Sequence, residues 1–343
     1  PDNWYFAMSN YPPNETKIAV VIPCYKVKQH ILQVIAKIGP EVAQIFVVDD
    51  ACPENSGQFV EENNRDPRVV VLFNPRNQGV GGAVMHGYRE AHARGYDCIV
   101  KIDGDGQMDP SLLPAFVDPI INGHADYTKG NRFYNPEDVR LMPPIRLFGN
   151  AVLSFMNKAS SGYWSTFDPT NGYTAISGPL VAHLPLQKIS QRYFFETDML
   201  FRLGTIGAVV QDIPMTAVYA DEQSNLHIRQ ILGTFLRGHI ANFCKRIVYS
   251  YYLRDFSAAS IELILGLLLL LSGAGFGAYA WWQSVSAGVP ATSGTVMLAA
   301  LPIIIGTQLL LSFLQFDVVS QPTIPLHPRL RRNLRRPLCQ DPR

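Results

Sequence analysis

Hydrophobic and polar positions divide the chain at about residue 255. Before that point, apolar runs of strand length alternate with segments patterned at helical spacing. "KIAVVIP" (17–23), "QIFVVDD" (44–50), "RVVVLF" (68–73) and "CIVKID" (98–103) predict strands buried on both faces. Segments near 28–38 and 54–64, one beginning near Gly81 and one opening at "DPSLL", predict the helices between them. Alternation of this kind predicts a mostly parallel α/β sheet, and ligands of such sheets gather at the carboxyl ends of the strands. Those ends carry "PCYK", "DDACP", "NPRNQGVGG" and "DGDGQ".

Beyond residue 255 the pattern changes. Residues 263–282 and 296–316 are uncharged runs, each long enough to cross a hydrocarbon core of about 30 Å. They predict a transmembrane hairpin over 256–320. The connecting "QSVSAGVPATSGT" has no Lys or Arg. Arg237, Lys245, Arg246 and Arg254 precede the hairpin, and Arg329, Arg331, Arg332, Arg335 and Arg336 follow it. The positive-inside rule therefore places both flanks, both termini and the N-terminal domain in the cytoplasm, with a bacterial inner membrane the expected setting. In 228–255, Ile231, Phe235, Ile240, Phe243 and Ile247 recur at helical spacing between basic residues. This reads as an interfacial amphipathic helix, the alternative being a surface helix packed on the soluble domain. The organisation expected is a tail (1–16), an α/β domain (17–227), the interfacial segment (228–255), the hairpin (256–320) and a basic tail (321–343).

Composition adds exclusions. A formal net charge of +1 over 343 residues gives no reason to propose a nucleic-acid partner. The five cysteines (Cys24, Cys52, Cys98, Cys244, Cys339) are scattered and lack CxxC spacing, which argues against a disulfide framework or zinc site and suits a reducing compartment. "PDNWYFAMSNYPPNETK" does not read as a signal peptide.

The chemistry concentrates in "CIVKIDGDGQMDP". If the extended backbone persists, Asp103 and Asp105 point the same way, and Gly104 lets a ligand approach the backbone. Two hard oxygen donors suit Mg²⁺ or Mn²⁺ bridged to substrate phosphates, with the Gln107 carbonyl within reach. Asp109 followed by Pro110 reads as a helix N-cap. Asp49 and Asp50 can accept from ribose hydroxyls or cap the following helix. "NQGVGGAVMHGY" reads either as a phosphate cradle or, lacking Gly-Lys-Ser/Thr, as a loop packed tightly against the donor site.

"VVIPCYK", "VVDD", "NQGVGGAVMHGY", "KIDGDGQMDP", "KGNRF", "DPTNGYTAI" and "ETDMLFRLGTIG" occur in the order seen in family 2 glycosyltransferases. Over roughly 17–220 the chain resembles their polyprenyl-phosphate sugar transferases, the dolichol-phosphate mannose synthase type. The resemblance implies a GT-A fold, a nucleotide-sugar donor of GDP-mannose or UDP-glucose type, a divalent metal, inversion at the anomeric carbon and a polyprenyl-phosphate acceptor. By the same resemblance Pro23 and Tyr25 frame the nucleotide pocket, Asp49 or Asp50 binds the nucleoside, and Gly79 and Lys101 belong to the donor site. Asp103 sits beside the diphosphate; Asp105 and Gln107, with Asp103, hold the metal. Arg132, helped by Arg146, faces the acceptor phosphate, and Asp198 stands four before Arg202 as the catalytic acidic position. Two departures stand out: Thr174 where the family often has Arg, and "YADEQSNL" (219–226) where basic residues are usual. A phosphate monoester, with a second pKa of about 6, needs little general-base help, whereas a sugar hydroxyl needs a carboxylate such as Asp198. A sugar-hydroxyl acceptor, an inactive membrane scaffold and a homo-oligomer stay open as alternatives.

Overall fold

The four apolar runs become β1 (Ile18–Cys24), β2 (Val42–Asp49), β3 (Val69–Phe73) and β4 (Cys98–Lys101). The structure, a computed structural model, describes residues 16–134, 136, 140, 144–216 and 228–330. Three further strands, β5 (Tyr127–Asn131), β6 (Thr174–Ser177) and β7 (Val210–Pro214), complete a seven-stranded sheet of order β3-β2-β1-β4-β6-β5-β7. Only β6 runs antiparallel to its neighbours, so the sheet is mostly parallel, as in the GT-A fold. Around it lie α1 (Ile31–Ala36), α2 (Ser56–Asn63), α3 (Val80–Ala93), α4 (Leu113–Ile121), α5 (Pro144–Ser161), α6 (Gly178–Val181) and α7 (Phe195–Ile206).

Strand side chains alternate between two cores. Val20, Ile22, Val47 and Val100 pack with Ile31 and Ile35 of α1 and Phe116 of α4 on one face. Ala19, Val21, Phe46 and Ile99 pack with Val84 and Tyr88 of α3 and Met199 of α7 on the other. Burial on both faces explains why these strands read as continuous apolar runs. Helix α3 lies close to the sheet because Gly87 has no side chain: a Cβ there would stand 2.4 Å from Val21.

The described residues divide into two compact units, one running through His239 and resuming at Pro322, the other Ile240–Gln321. Residues 322–330, inside the expected basic tail, belong to the first unit. The fully buried Asp126 carboxylate accepts from the Leu326 and His327 backbone amides at 2.8–2.9 Å and from Val209 N at 2.9 Å. Helix α8 (Ile228–Val248) covers the expected amphipathic segment; in its first-unit part Phe235 and His239 pack edge-on to Phe194.

The second unit holds a π-helical turn (Tyr249–Arg254), α9 (Ala258–Ala287) and α10 (Ser293–Val319). At 30 and 27 residues, α9 and α10 are long and apolar enough to cross a membrane, and each contains one expected span. Their backbones approach closely: a Cβ on Gly306 would lie 2.8 Å from Gly266 O. Two acidic side chains of this unit have partners within it. Arg246 makes a two-pronged pair with Asp317 at 2.6 and 3.0 Å, and Glu262 accepts from Ser312 Oγ at 3.0 Å.

Candidate active site

A cavity of about 450 Å³ opens at the carboxyl ends of β1, β2 and β4. Pro23, Cys24, Tyr25 and Val27 form the wall that follows β1. Asp50, Asn77, Gly79 and Val80 come from the β2 end and the start of α3. Asp103, Gly104 and Asp105 supply the acidic rim, and Arg192 with Tyr193 close the remaining side.

Both residues of the acidic rim thus line one cavity, but for a different reason than strand alternation. Pairing in β4 ends at Lys101, and residues 104–105 turn. Gly106, at φ +80°, completes the reversal in a region that L side chains rarely enter. Asp105 Oδ1 accepts from Gln107 N at 3.0 Å and helps hold the turn. The space where a Gly104 side chain would stand is filled by Ile31, Val27 and Ile22 at 3.0–3.3 Å, so this glycine serves core packing rather than ligand approach. Asp109 accepts from Ser111 N at 3.0 Å and caps the short helix Pro110–Leu112, as its sequence context predicts.

Lys101 does not line the cavity. It is buried at the end of β4, its ammonium 2.9 Å from Asp103 and 3.4 Å from Glu196. Burial opposes its charge, but the two carboxylates outweigh that and hold its pKa above the ordinary lysine range. Burial pushes the Glu196 carboxyl up, against the pull of Lys101. Glu196, on α7, is a residue that sequence reading missed. The site therefore rests on an Asp103–Lys101–Glu196 chain of formal charge −1. Gly172 closes over it: a Cβ there would stand 2.5 Å from the Lys101 ammonium.

Other expected ligands are engaged inside the protein. Asp49 accepts from Cys52 N at 2.8 Å and Gly57 N at 2.6 Å, which anchors the start of α2. Asp50 lines the cavity, yet its oxygens accept from Asn74 Nδ2, Gln78 N and Gly79 N at 2.6–3.1 Å. Arg132 is locked onto Asp168 by two bonds of 2.8 Å, which neutralises it. Burial opposes charge on Asp168, but the Arg132 guanidinium holds its carboxyl below the usual range. The side chain of Arg146 and the stretch 217–227 lie outside the described residues. Gln107 does not line the cavity.

The glycine-rich stretch packs a loop. Gly81 N donates to Gln191 O at 2.9 Å, and a Cβ on Gly81 would meet Ser190 O at 2.5 Å. Asp198 lies away from the cavity on α7, where its Oδ2 accepts from Ser190 N at 2.8 Å. Arg202 donates to Lys188 O at 3.1 Å and stands 3.8 Å from Asp198. Glycines, Asp198 and Arg202 together fix the loop that presents Arg192 and Tyr193. Arg192 is the cationic side chain among the described residues lining the cavity. It carries no motif of its own, so only the folding of this loop reveals it.

Among the described residues no three His, Cys, Asp or Glu side chains cluster as a metal cage. A Mg²⁺ or Mn²⁺ ion bridged to substrate phosphates needs fewer protein ligands, one or two carboxylates being usual. Asp103 and Asp105 on the cavity rim fit that requirement.

Residues 19–183 match the family model described as Glycosyl transferase family 2. The chain is 28% identical over 218 residues to a UDP-N-acetylglucosamine–dolichyl-phosphate N-acetylglucosaminyltransferase of Methanococcus voltae, covering 60% of this chain and 86% of that protein. It is 29% identical over 206 residues to an undecaprenyl-phosphate mannosyltransferase of Micrococcus luteus, covering 59% and 84%. Among solved structures it is similar to glucosyl-3-phosphoglycerate synthase of Mycobacterium tuberculosis in complex with Mn²⁺, UDP and phosphoglyceric acid. That likeness has a TM-score of 0.50 at 19% identity, over 67% of this chain and 78% of the other, and it speaks for the fold alone. Family match and sheet order together show a glycosyl transferase family 2 domain over residues 19–183, built on a GT-A-like fold.

Proposed function

We propose that the chain transfers a sugar from a nucleotide-sugar donor to a polyprenyl phosphate, with inversion and with a divalent cation, at the cytoplasmic membrane face. One observation carries this reading: the acidic rim of Asp103 and Asp105 lines a cavity on a chain that also carries two membrane-length helices. Relatives named as dolichyl- and undecaprenyl-phosphate sugar transferases support the lipid acceptor. The basic flanks of the hairpin support the cytoplasmic face.

In this reading Tyr25, whose ring is exposed at the cavity wall, stacks on the base. Asp103 and Asp105 would hold Mg²⁺ or Mn²⁺, which when bound neutralises charge developing on the departing diphosphate. Lys101 and Glu196 fix the Asp103 carboxylate from below. Arg192 contacts a phosphate of donor or acceptor and takes over the role expected of Arg132. Asp198 is a positioning residue that holds the Ser190–Tyr193 loop, and the acceptor phosphate attacks the anomeric carbon without a protein base.

Membranes containing the chain, incubated with radiolabelled GDP-mannose, UDP-glucose or UDP-N-acetylglucosamine and undecaprenyl phosphate, test the reading. Acid-labile label should enter the organic phase when Mn²⁺ is present and stay out when it is chelated. Label appearing only in acid-stable, water-soluble glycans would instead establish a hydroxyl acceptor.

A further inference from the structure

Helix α5 carries its polarity inside out. Ser154, Asn157, Ser160 and Ser161 are all buried. Ser161 Oγ donates to Asn157 O at 2.7 Å, and Ser160 Oγ lies 2.9 Å from His239 Nδ1 on α8. The opposite face is apolar and exposed: Phe148 is 71% accessible, Val152 42% and Phe155 64%, with Leu147 beside them at 37%. Positions 148, 152 and 155 follow the i, i+4, i+7 spacing of one helical stripe. A helix of a water-soluble domain shows the reverse arrangement, with serine and asparagine outside and phenylalanine inside. Ser160 and Ser161 find partners inside the domain, while Ser154 Oγ and Asn157 Oδ1 are buried without one among the described residues; the outer face, apolar and exposed, lacks an apolar phase.

We infer that the α5 face of Leu147, Phe148, Val152 and Phe155 rests in the headgroup–acyl boundary of a lipid bilayer, as a second membrane contact besides the helical hairpin. Two observations favour lipid over a protein partner. The chain carries α9 and α10, of membrane-spanning length, which tether the domain to a bilayer permanently and make lipid the apolar phase at highest effective concentration. Arg140 and Arg146 stand just before the stripe in the sequence, and basic residues flanking an apolar helix face suit anionic headgroups. The contact does not depend on which acceptor the enzyme uses.

The test uses the full chain in nanodiscs made from equal parts of phosphatidylcholine and phosphatidylglycerol. In a Cys244→Ser, Cys339→Ser background, which removes the thiol exposed among the described residues and the one that lies outside them, Phe148→Cys, Val152→Cys and Phe155→Cys are labelled with an environment-sensitive fluorophore. Glu62→Cys, on the exposed side of α2, is the reference. Labels on α5 should shift to the blue and be quenched by nitroxide carried on lipid acyl chains, at least severalfold more than at position 62. Quenching no greater than at position 62 overturns the inference. An unshifted emission would then mean a water-facing stripe, and a blue shift without quenching that grows with protein concentration would mean a second copy of the chain. Because these side chains are exposed, each variant should melt at the temperature of its parent, which separates the readout from misfolding.

Discussion

Replacing Lys101 with methionine tests the support of the site most directly. The substitution keeps the stem that fills the end of β4 and deletes an ammonium lying 2.9 Å from Asp103 and 3.4 Å from Glu196. At an effective dielectric of about 20 those distances correspond to roughly 6 and 5 kcal/mol of gross attraction, most of it offset by desolvation. The formal charge of the group goes from −1 to −2. Breaking a buried pair by removing one partner costs about 3–5 kcal/mol, because the remaining charges lose their compensation. For a unit of this size each kcal/mol moves the melting temperature by about 2–4 °C, so Lys101→Met should melt about 6–20 °C lower. Adding Glu196→Gln returns the charge to −1 and leaves only Asp103, the more exposed of the two carboxylates at 27% against 15%. The double variant should recover at least a third of the loss. Thermal unfolding in detergent micelles with chelator present measures both. Mn²⁺ should then raise the melting point of Lys101→Met, since a bound cation replaces the missing charge. A single variant that loses less than about 1 kcal/mol, or a double variant no better than the single, would refute this account of the triad.

Asp105→Ala should lower turnover at least a hundredfold, far more than the lost bond from Gln107 N lowers the melting temperature, as initial rates over a Mn²⁺ titration would show; metal-independent turnover by that variant sinks the cation assignment. Asp198→Asn should cost about tenfold and leave the shape of the pH–rate profile untouched, since its carboxylate holds Ser190 N rather than a proton in flight; disappearance of the basic limb would make it a base instead. Asp126 and Asp168 have pKa values below the unfolded value of 3.8: burial opposes their charge, but hydrogen bonds from His327 and the Val209, Leu326 and His327 amides outweigh it at Asp126, as Arg132 does at Asp168. Their stabilisation is complete above the unfolded value and lost as pH falls through the folded values, so acid denaturation should flatten in Asp168→Asn, read as midpoint stability against pH below about 5.

Parts of this architecture were legible because burial writes a simple pattern. Strands β1, β2 and β4 are covered on both faces and the edge strand β3 is half-buried, so their apolar runs announced them. Strand β5, "YTKGN", is equally buried and carries no such run. Its Lys129 is satisfied by the carbonyls of Gly130 and Phe167 and by Asp212 at 3.1 Å, the last two lying beyond any local window. The acidic rim was visible in "DGDG", although a turn at 104–106, not strand pleat, sets both residues on one cavity. Glu196 escaped because its partner Lys101 lies 95 residues earlier, and Arg192 because a glycine-packed loop, rather than a motif, presents it.

Acidic residues at strand ends therefore divide by how much of their hydrogen-bonding capacity the chain itself consumes. A carboxylate offers about four lone-pair sites. Asp50 spends them on Asn74 Nδ2, on Gln78 N through both oxygens, and on Gly79 N, so a ribose hydroxyl would have to displace a bond that shapes the loop into α3. Its charge still reaches the cavity it lines. Asp49 is spent in the same way on the start of α2. Asp103 differs in kind: its partner is a shared ammonium that Glu196 also pulls upon, and a cation arriving from the cavity competes with an already divided charge. That division keeps the rim acidic while its support stays buried, and it leaves the fourth strand's end, rather than the second's, as the place where a diphosphate and its metal would meet the protein.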